Sequence, residues 1–131
     1  MHKRNLGLDL VRATEVAALN AGRWMGLGSR DEPDRAATEA MHKALSPIDV
    51  DGVIVVGEEG KVGWNSPLHS GRQVCTGQGP PMDVVVDAID GRGLLATGRS
   101  GAIAVAAMAP RGAMWCPRPA VYMDKIVVSR E

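Results

Sequence analysis

The run Val84-Val85-Val86-Asp87-Ala88-Ile89-Asp90-Gly91 constrains this 131-residue chain more than any other segment. Apolar β-branched residues that stop at a carboxylate, with a second carboxylate three residues on and then a glycine, read as a buried strand entering a tight turn. Gly52-Val53-Ile54-Val55-Val56 is a similar apolar strand, of the type buried on both faces, and it leads into Gly57-Glu58-Glu59. Two acids fixed on such a turn can point at one spot, and Glu58 can join them. Hard divalent ions such as Mg²⁺ are held by carboxylates, a backbone carbonyl and water, usually with a phosphate completing the shell. The same residues also serve as plain turn formers, since Asp and Gly dominate turns for local reasons.

The flanking segments predict two helices ahead of a sheet. Leu6, Leu10, Ala13, Ala17, Ala21 and Trp24 recur at helical spacing and stop at Gly26-Leu27-Gly28. Asp31 is the expected N-cap of a second helix, with Pro33 in its first turn, Ala37, Ala40, Met41, Ala44 and Leu45 on one face, and Pro47 beyond its end. Residues 57–82 read as a long loop with a short strand near Gln73-Val74-Cys75. Further strands are expected at Asp83–Val86 and Ala102–Met108, with Ala113–Cys116 returning antiparallel and Ile126–Val128 completing the sheet. The expected fold is α+β: a layered sandwich of two amino-terminal helices on a mainly antiparallel sheet, as one domain over residues 1–131.

Composition limits the classes of function. Fifteen basic and fifteen acidic residues cancel, which gives no electrostatic footprint for nucleic acid or an anionic membrane. Near neutrality, self-association is expected. Met1-His2-Lys3-Arg4 is basic but no apolar stretch follows it, and no run is long enough to span a membrane, so a cytoplasmic protein is expected. Cys75 and Cys116 form no disulfide framework or zinc motif, and Cys75 reads as a structural thiol rather than a nucleophile. His2, His42 and His69 have no metal-ligand spacing and read as solvent-exposed. Gly77-Gln78-Gly79 reads as a turn, while Trp64 suits either a ligand cover or plain packing.

Several blocks resemble the bacterial class II fructose-1,6-bisphosphatases, within the lithium-sensitive, metal-dependent phosphatase superfamily. They are Arg12–Leu19, Trp24–Gly28, Asp34–Ala37, Asp51–Glu58, Thr76–Gly79, Asp87–Gly91 and Tyr122–Ile126, in family order over nearly the whole chain. The family's enzymes are more than twice as long, so the resemblance is to their amino-terminal part, without the carboxyl-terminal half. It implies the amino-terminal layers of the sugar phosphatase fold. It also implies that Glu58, Asp87, Asp90 and the Ile89 carbonyl hold Mg²⁺ or Mn²⁺, with Asp34 near the metal site. Arg30 stands where the family often has lysine, and Tyr122 matches a substrate-contacting position. Asp90 replaces the glutamate usual in the class II family and agrees with the wider superfamily.

Two departures bear on the chemistry. Arg92 follows Gly91 where the superfamily has a threonine or serine that orients the attacking water, and a guanidinium cannot accept a proton. Gly60–Pro67 contains no carboxylate where the family has a further acidic segment, and Lys61 lowers the negative potential there. Three functions therefore stand side by side. The first is a reduced metal-dependent phosphatase acting on a small phosphorylated sugar, with Asp34, Asp87, Asp90 and Arg92 in catalysis and Arg30 and Tyr122 on substrate. The second is a metal-free acid/base enzyme of a biosynthetic pathway that uses Asp87 and Asp90 beside Arg92. The third is a non-catalytic binding or assembly subunit. A homo-oligomer is expected under all three.

Overall fold

The computed structural model describes residues 4–58, 65–118 and 123–130. Two helices lead the chain, as the periodicity predicts. Helix α1 (Leu6–Gly22) starts where the Asn5 side chain accepts a hydrogen bond from the Leu8 amide, and it buries Ala13, Ala17 and Ala21. These small side chains let α2 (Asp31–Leu45) approach closely with its own buried Ala37, Met41 and Leu45. Acids in the first turn of α2 and His42 and Lys43 in its last complement the helix dipole. The cap lies one residue earlier than expected: Arg30 precedes the helix and Asp31 is its first residue. Ser29 reaches over that boundary to hydrogen-bond the Glu32 carboxylate. Ser46 still has helical backbone and its amide donates to the His42 carbonyl, but Pro47 has no amide with which to continue the ladder, so the helix stops at Leu45.

Four strands form one sheet, β1 (Asp51–Val56), β2 (Gln73–Val74), β3 (Pro81–Asp90) and β4 (Ile103–Pro110), in the order β2-β1-β3-β4. β1 runs antiparallel to β2 and parallel to β3, and β3 runs antiparallel to β4. A short helix, α3 (Arg92–Ala96), lies between β3 and β4 inside the segment read as a glycine-rich connection. The fold is α+β, as expected, and both long helices pack on the same face of the sheet. That one-sided packing corrects the expectation that β1 is buried on both faces. Ile54, Val84, Val86 and Ala88 are buried under the helices, whereas Val53, Val55 and Val85 are only half-buried and Ile103 and Val105 are exposed.

Two expected strands do not form. Ala113–Cys116 follows β4 as turn and bend, because its backbone amides serve another partner. The buried Asp83 carboxylate accepts hydrogen bonds from the Gly112 and Met114 amides at 2.8 and 3.1 Å. Arg111 extends this latch by donating to the Asp51 carbonyl at 2.7 Å, while its amide donates to the Pro81 carbonyl. Ile126–Val128 has no regular secondary structure and joins no strand of the sheet, and its side chains are exposed. Among the described residues, no helix is long and apolar enough to cross a membrane.

The end of β1 requires glycine. A Cβ on Gly57 would sit 2.0 Å from the Leu68 carbonyl oxygen and 2.7 Å from Ile54 Cγ2. The approach is kept by the Glu58 amide, which donates to that same Leu68 carbonyl at 3.0 Å. Gly57→Ala must push backbone away from backbone, and overpacking of this kind costs about 3 kcal/mol. Urea unfolding should register that loss as a lower midpoint.

Candidate active site

Two β-bulges shape the site. In the β1–β3 pairing Ile54 faces Val84 while Val56 faces Val85, so β1 carries an extra residue. In the β3–β4 pairing Asp87 faces Val105 and Asp90 faces Ile103, so three steps on β3 match two on β4. A regular strand would turn Asp87 and Asp90 to opposite faces, since they are an odd number of residues apart. The bulge removes that difference. Ala88 and Ile89, adjacent in sequence, are both buried at 1% and 3% exposure, while half-buried Asp87 and exposed Asp90 both turn away from the helix-covered core. Gly91 then adopts φ 99°, a left-handed conformation that starts α3.

Glu58 ties the two bulged strand ends together. Its carboxylate, only 5% exposed, accepts a hydrogen bond from the Ala88 amide at 2.7 Å across 30 residues of chain. A bulge interrupts the ladder and leaves an amide needing an acceptor, which the Glu58 carboxyl oxygen supplies. The acid expected as a metal ligand thus has one oxygen engaged in holding the peptide between Asp87 and Ile89.

The cationic side chains approach from the other end of the turn. Arg92 is the first residue of α3 and is half-buried. The loop after α1 docks on α3, with the Gly26 and Gly28 amides donating to the Leu95 and Ala96 carbonyls, each at 2.9 Å. That docking carries Arg30 over α3, where a Cβ on Gly93 would lie 3.5 Å from its Nη2. Glu58, Asp87, Ile89, Asp90, Arg92 and Arg30 therefore belong to one neighbourhood built on the carboxyl ends of β1 and β3. Asp34 lies fully buried in the first turns of α2. Tyr122, with Glu59, Lys61 and Trp64, falls outside the described residues.

Among the described residues, no three carboxylate, imidazole or thiol groups come close enough together to hold a metal ion. The donors are instead a pair of acids on one strand and a third acid used in part by the backbone. This set fits Mg²⁺ or Mn²⁺ shared with a phosphate better than an all-protein cage, because Mg²⁺ commonly takes one or two carboxylates and completes its shell with water and substrate oxygens.

Other polar groups were not apparent from sequence. Thr38, one helical turn after Asp34, is fully buried and its hydroxyl finds no hydrogen-bond partner among the described residues. Asp83 gave no motif signal, since its role depends on amides 29 and 31 residues away. A cavity of about 570 Å³ lies on the helix side of the bulge, floored by Ala88 and Ile89 and walled by α1, with Glu15 and Arg99 among its lining. None of the acids on the turn lines it. Of the three histidines read as exposed, His69 is exposed and His42 half-buried, while His2 lies outside the described residues.

Two outcomes test this geometry. Glu58→Ala should cost about 1–3 kcal/mol by stripping the Ala88 amide of its acceptor, and Glu58→Gln should cost less because a carbonyl remains. Denaturant titration of both variants distinguishes them. Separately, burial pushes the Cys75 thiol up to about 11. Its thiolate should be about a hundredfold scarcer than that of an unperturbed cysteine at mildly alkaline pH. Alkylation rates by mass spectrometry should then show Cys75 lagging far behind free cysteine, gaining reactivity only as pH approaches 11.

Comparison with known proteins bears on this neighbourhood. Residues 4–131 match the family described as bacterial fructose-1,6-bisphosphatase, glpX-encoded. The chain is 37% identical over 126 residues to fructose-1,6-bisphosphatase 1 class 2 of Escherichia coli K12, covering 96% of this chain. The same identity and coverage hold for the class 2 fructose-1,6-bisphosphatases of Escherichia coli O6:H1 and Shigella flexneri. The chain spans 37% of the length of each of these relatives.

Proposed function

Because the chain belongs to the glpX-encoded bacterial fructose-1,6-bisphosphatase family, we propose that it carries a reduced, metal-dependent phosphatase site for a small phosphorylated sugar. The observation that carries this reading is the β3 bulge, which turns Asp87 and Asp90 to the same side at a strand end.

In this reading Asp87, Asp90 and the Ile89 carbonyl hold Mg²⁺ or Mn²⁺, and Glu58 keeps the intervening peptide in place through the Ala88 amide. The metal, when bound, neutralises phosphate oxygens and makes its water more acidic. Arg30 and Arg92 supply positive charge for the phosphate, which a guanidinium can grip through two parallel hydrogen bonds. Arg92 cannot take a proton from water. That task falls to a carboxylate, and Asp90 is the exposed member of the pair. Water oxygen attacks phosphorus, the sugar oxygen leaves, and the proton given up by water offsets the one the leaving oxygen gains. Asp34, buried at the start of α2, is a further carboxyl group of this reading. The substrate most in keeping with the relatives' names is fructose 1,6-bisphosphate.

Calorimetric titration with Mg²⁺ and Mn²⁺ tests the reading directly. Wild-type protein should bind at millimolar metal or below, and Asp87→Asn/Asp90→Asn should weaken binding about a hundredfold, in line with the loss of two charged ligands. Phosphate release from fructose 1,6-bisphosphate should fall in the same variant. Metal binding unchanged by the double substitution would remove these acids from the site. No binding at all would leave the metal-free acid/base and assembly functions.

A further inference from the structure

The cavity of about 570 Å³ behind the acidic turn has no task in the phosphatase reading. Protein interiors are close-packed and hold few voids larger than a water molecule. This one follows from small residues on both walls. Helix α1 contributes Ala18, Ala21 and Gly22, and the sheet side contributes Ala88, Ala102 and Ala104. None of these side chains is long enough to cross the gap. The volume lies in the range of about 300–1,000 Å³ that holds small organic ligands.

Two charges of opposite sign line the same cavity. Glu15 comes from α1, and Arg99 from the segment that joins α3 to β4. Both are exposed, and among the described residues neither makes an ion pair or a side-chain hydrogen bond. The remaining lining is largely apolar, with Ile89, Leu95 and Met25 as its larger side chains. Met25 is 56% exposed, and its flexible thioether suits it to moulding against a ligand. A ligand with a single charge would leave Glu15 or Arg99 unanswered, and a wholly polar one would waste the apolar walls. An ammonium meets Glu15, a carboxylate meets the planar fork of Arg99, and an apolar body covers Ile89 and Leu95.

The place of the cavity in the fold gives such a ligand a consequence. Ala88 and Ile89 are the residues between Asp87 and Asp90, and the Ala88 amide is the one that Glu58 holds. Leu95 belongs to α3, whose first residue is Arg92. The cavity thus touches the back of both elements that form the turn. We propose that it binds a small zwitterion with an apolar body, the chemistry of an apolar α-amino acid or a short apolar peptide, and that occupancy braces the acidic turn from behind. The ligand touches none of the acids of the turn, so the inference does not depend on the phosphatase reading.

Calorimetric titration with L-leucine and with L-leucyl-L-leucine tests it, together with amide hydrogen exchange followed by NMR. Two blocked probes separate the charges, since N-acetyl-L-leucine lacks the cation and L-leucinamide lacks the anion. The zwitterions should bind wild-type protein, and each blocked form of leucine should bind about fivefold more weakly than leucine, the worth of one partly solvated ion pair. Glu15→Gln should abolish the preference for a free amine and keep that for a free carboxylate, and Arg99→Gln should do the reverse. Both positions are exposed, so neither change threatens the fold. The Ala88 and Ile89 amides should exchange more slowly in the presence of either zwitterion. Tighter binding of the dipeptide assigns the site to peptides, and equal binding assigns it to the free amino acid. No binding of either zwitterion overturns the proposal. So does binding that ignores both substitutions, or that leaves exchange at Ala88 and Ile89 unchanged, since the ligand then lies elsewhere.

Discussion

The hydrogen bond from the Ala88 amide to the Glu58 carboxylate joins the two strands that carry the site. β1 and β3 are parallel neighbours, and each gains an extra residue near its carboxyl end. Two irregular strand ends side by side would leave backbone groups unsatisfied in a buried position, where each costs about 1–3 kcal/mol. Glu58 resolves this by occupying the gap with a side-chain acceptor. Gly57 makes the contact possible, because only a residue without Cβ can pass so close to the Leu68 carbonyl. The position of Asp87 and Asp90 thus depends on a residue pair in another strand.

The helices and the main strands were legible in the sequence because their signals are local. An alanine every four residues, a proline after α2 and valine runs bounded by turn formers each depend on a few neighbours. The β2 strand at Gln73–Val74 was legible for the same reason. The bulges were not. An uninterrupted apolar run looks the same whether the strand is regular or carries an extra residue, since register is a property of two strands. The acids could be singled out as a group, but the alternation rule alone would have parted Asp87 from Asp90.

The tail shows the converse error. Ile126-Val127-Val128 has the composition of a strand, and Ala113–Cys116 resembles a returning one. Composition cannot report that the Asp83 carboxylate takes the Gly112 and Met114 amides and turns the chain away. A single buried acid, unremarked in sequence because it belongs to no motif, reroutes the chain beyond β4. The placement of Arg30 over α3 was likewise hidden, since it follows from two amide contacts between the α1–α2 loop and the last turn of α3.

The parallel pairing of β1 with β3 also has a kinetic consequence. Parallel neighbours cannot be joined by a tight hairpin, and here the intervening chain visits β2 before returning. The helix pair α1–α2 and the β3–β4 pair need shorter excursions, so they are free to form early. Closing β1 against β3 brings together residues about 30 apart and pays loop entropy before any contact rewards it. The acidic turn receives its anchor only at that late step. A chain stalled short of it would have helices and a hairpin yet no organised carboxylate pair, so completion of the site marks completion of folding.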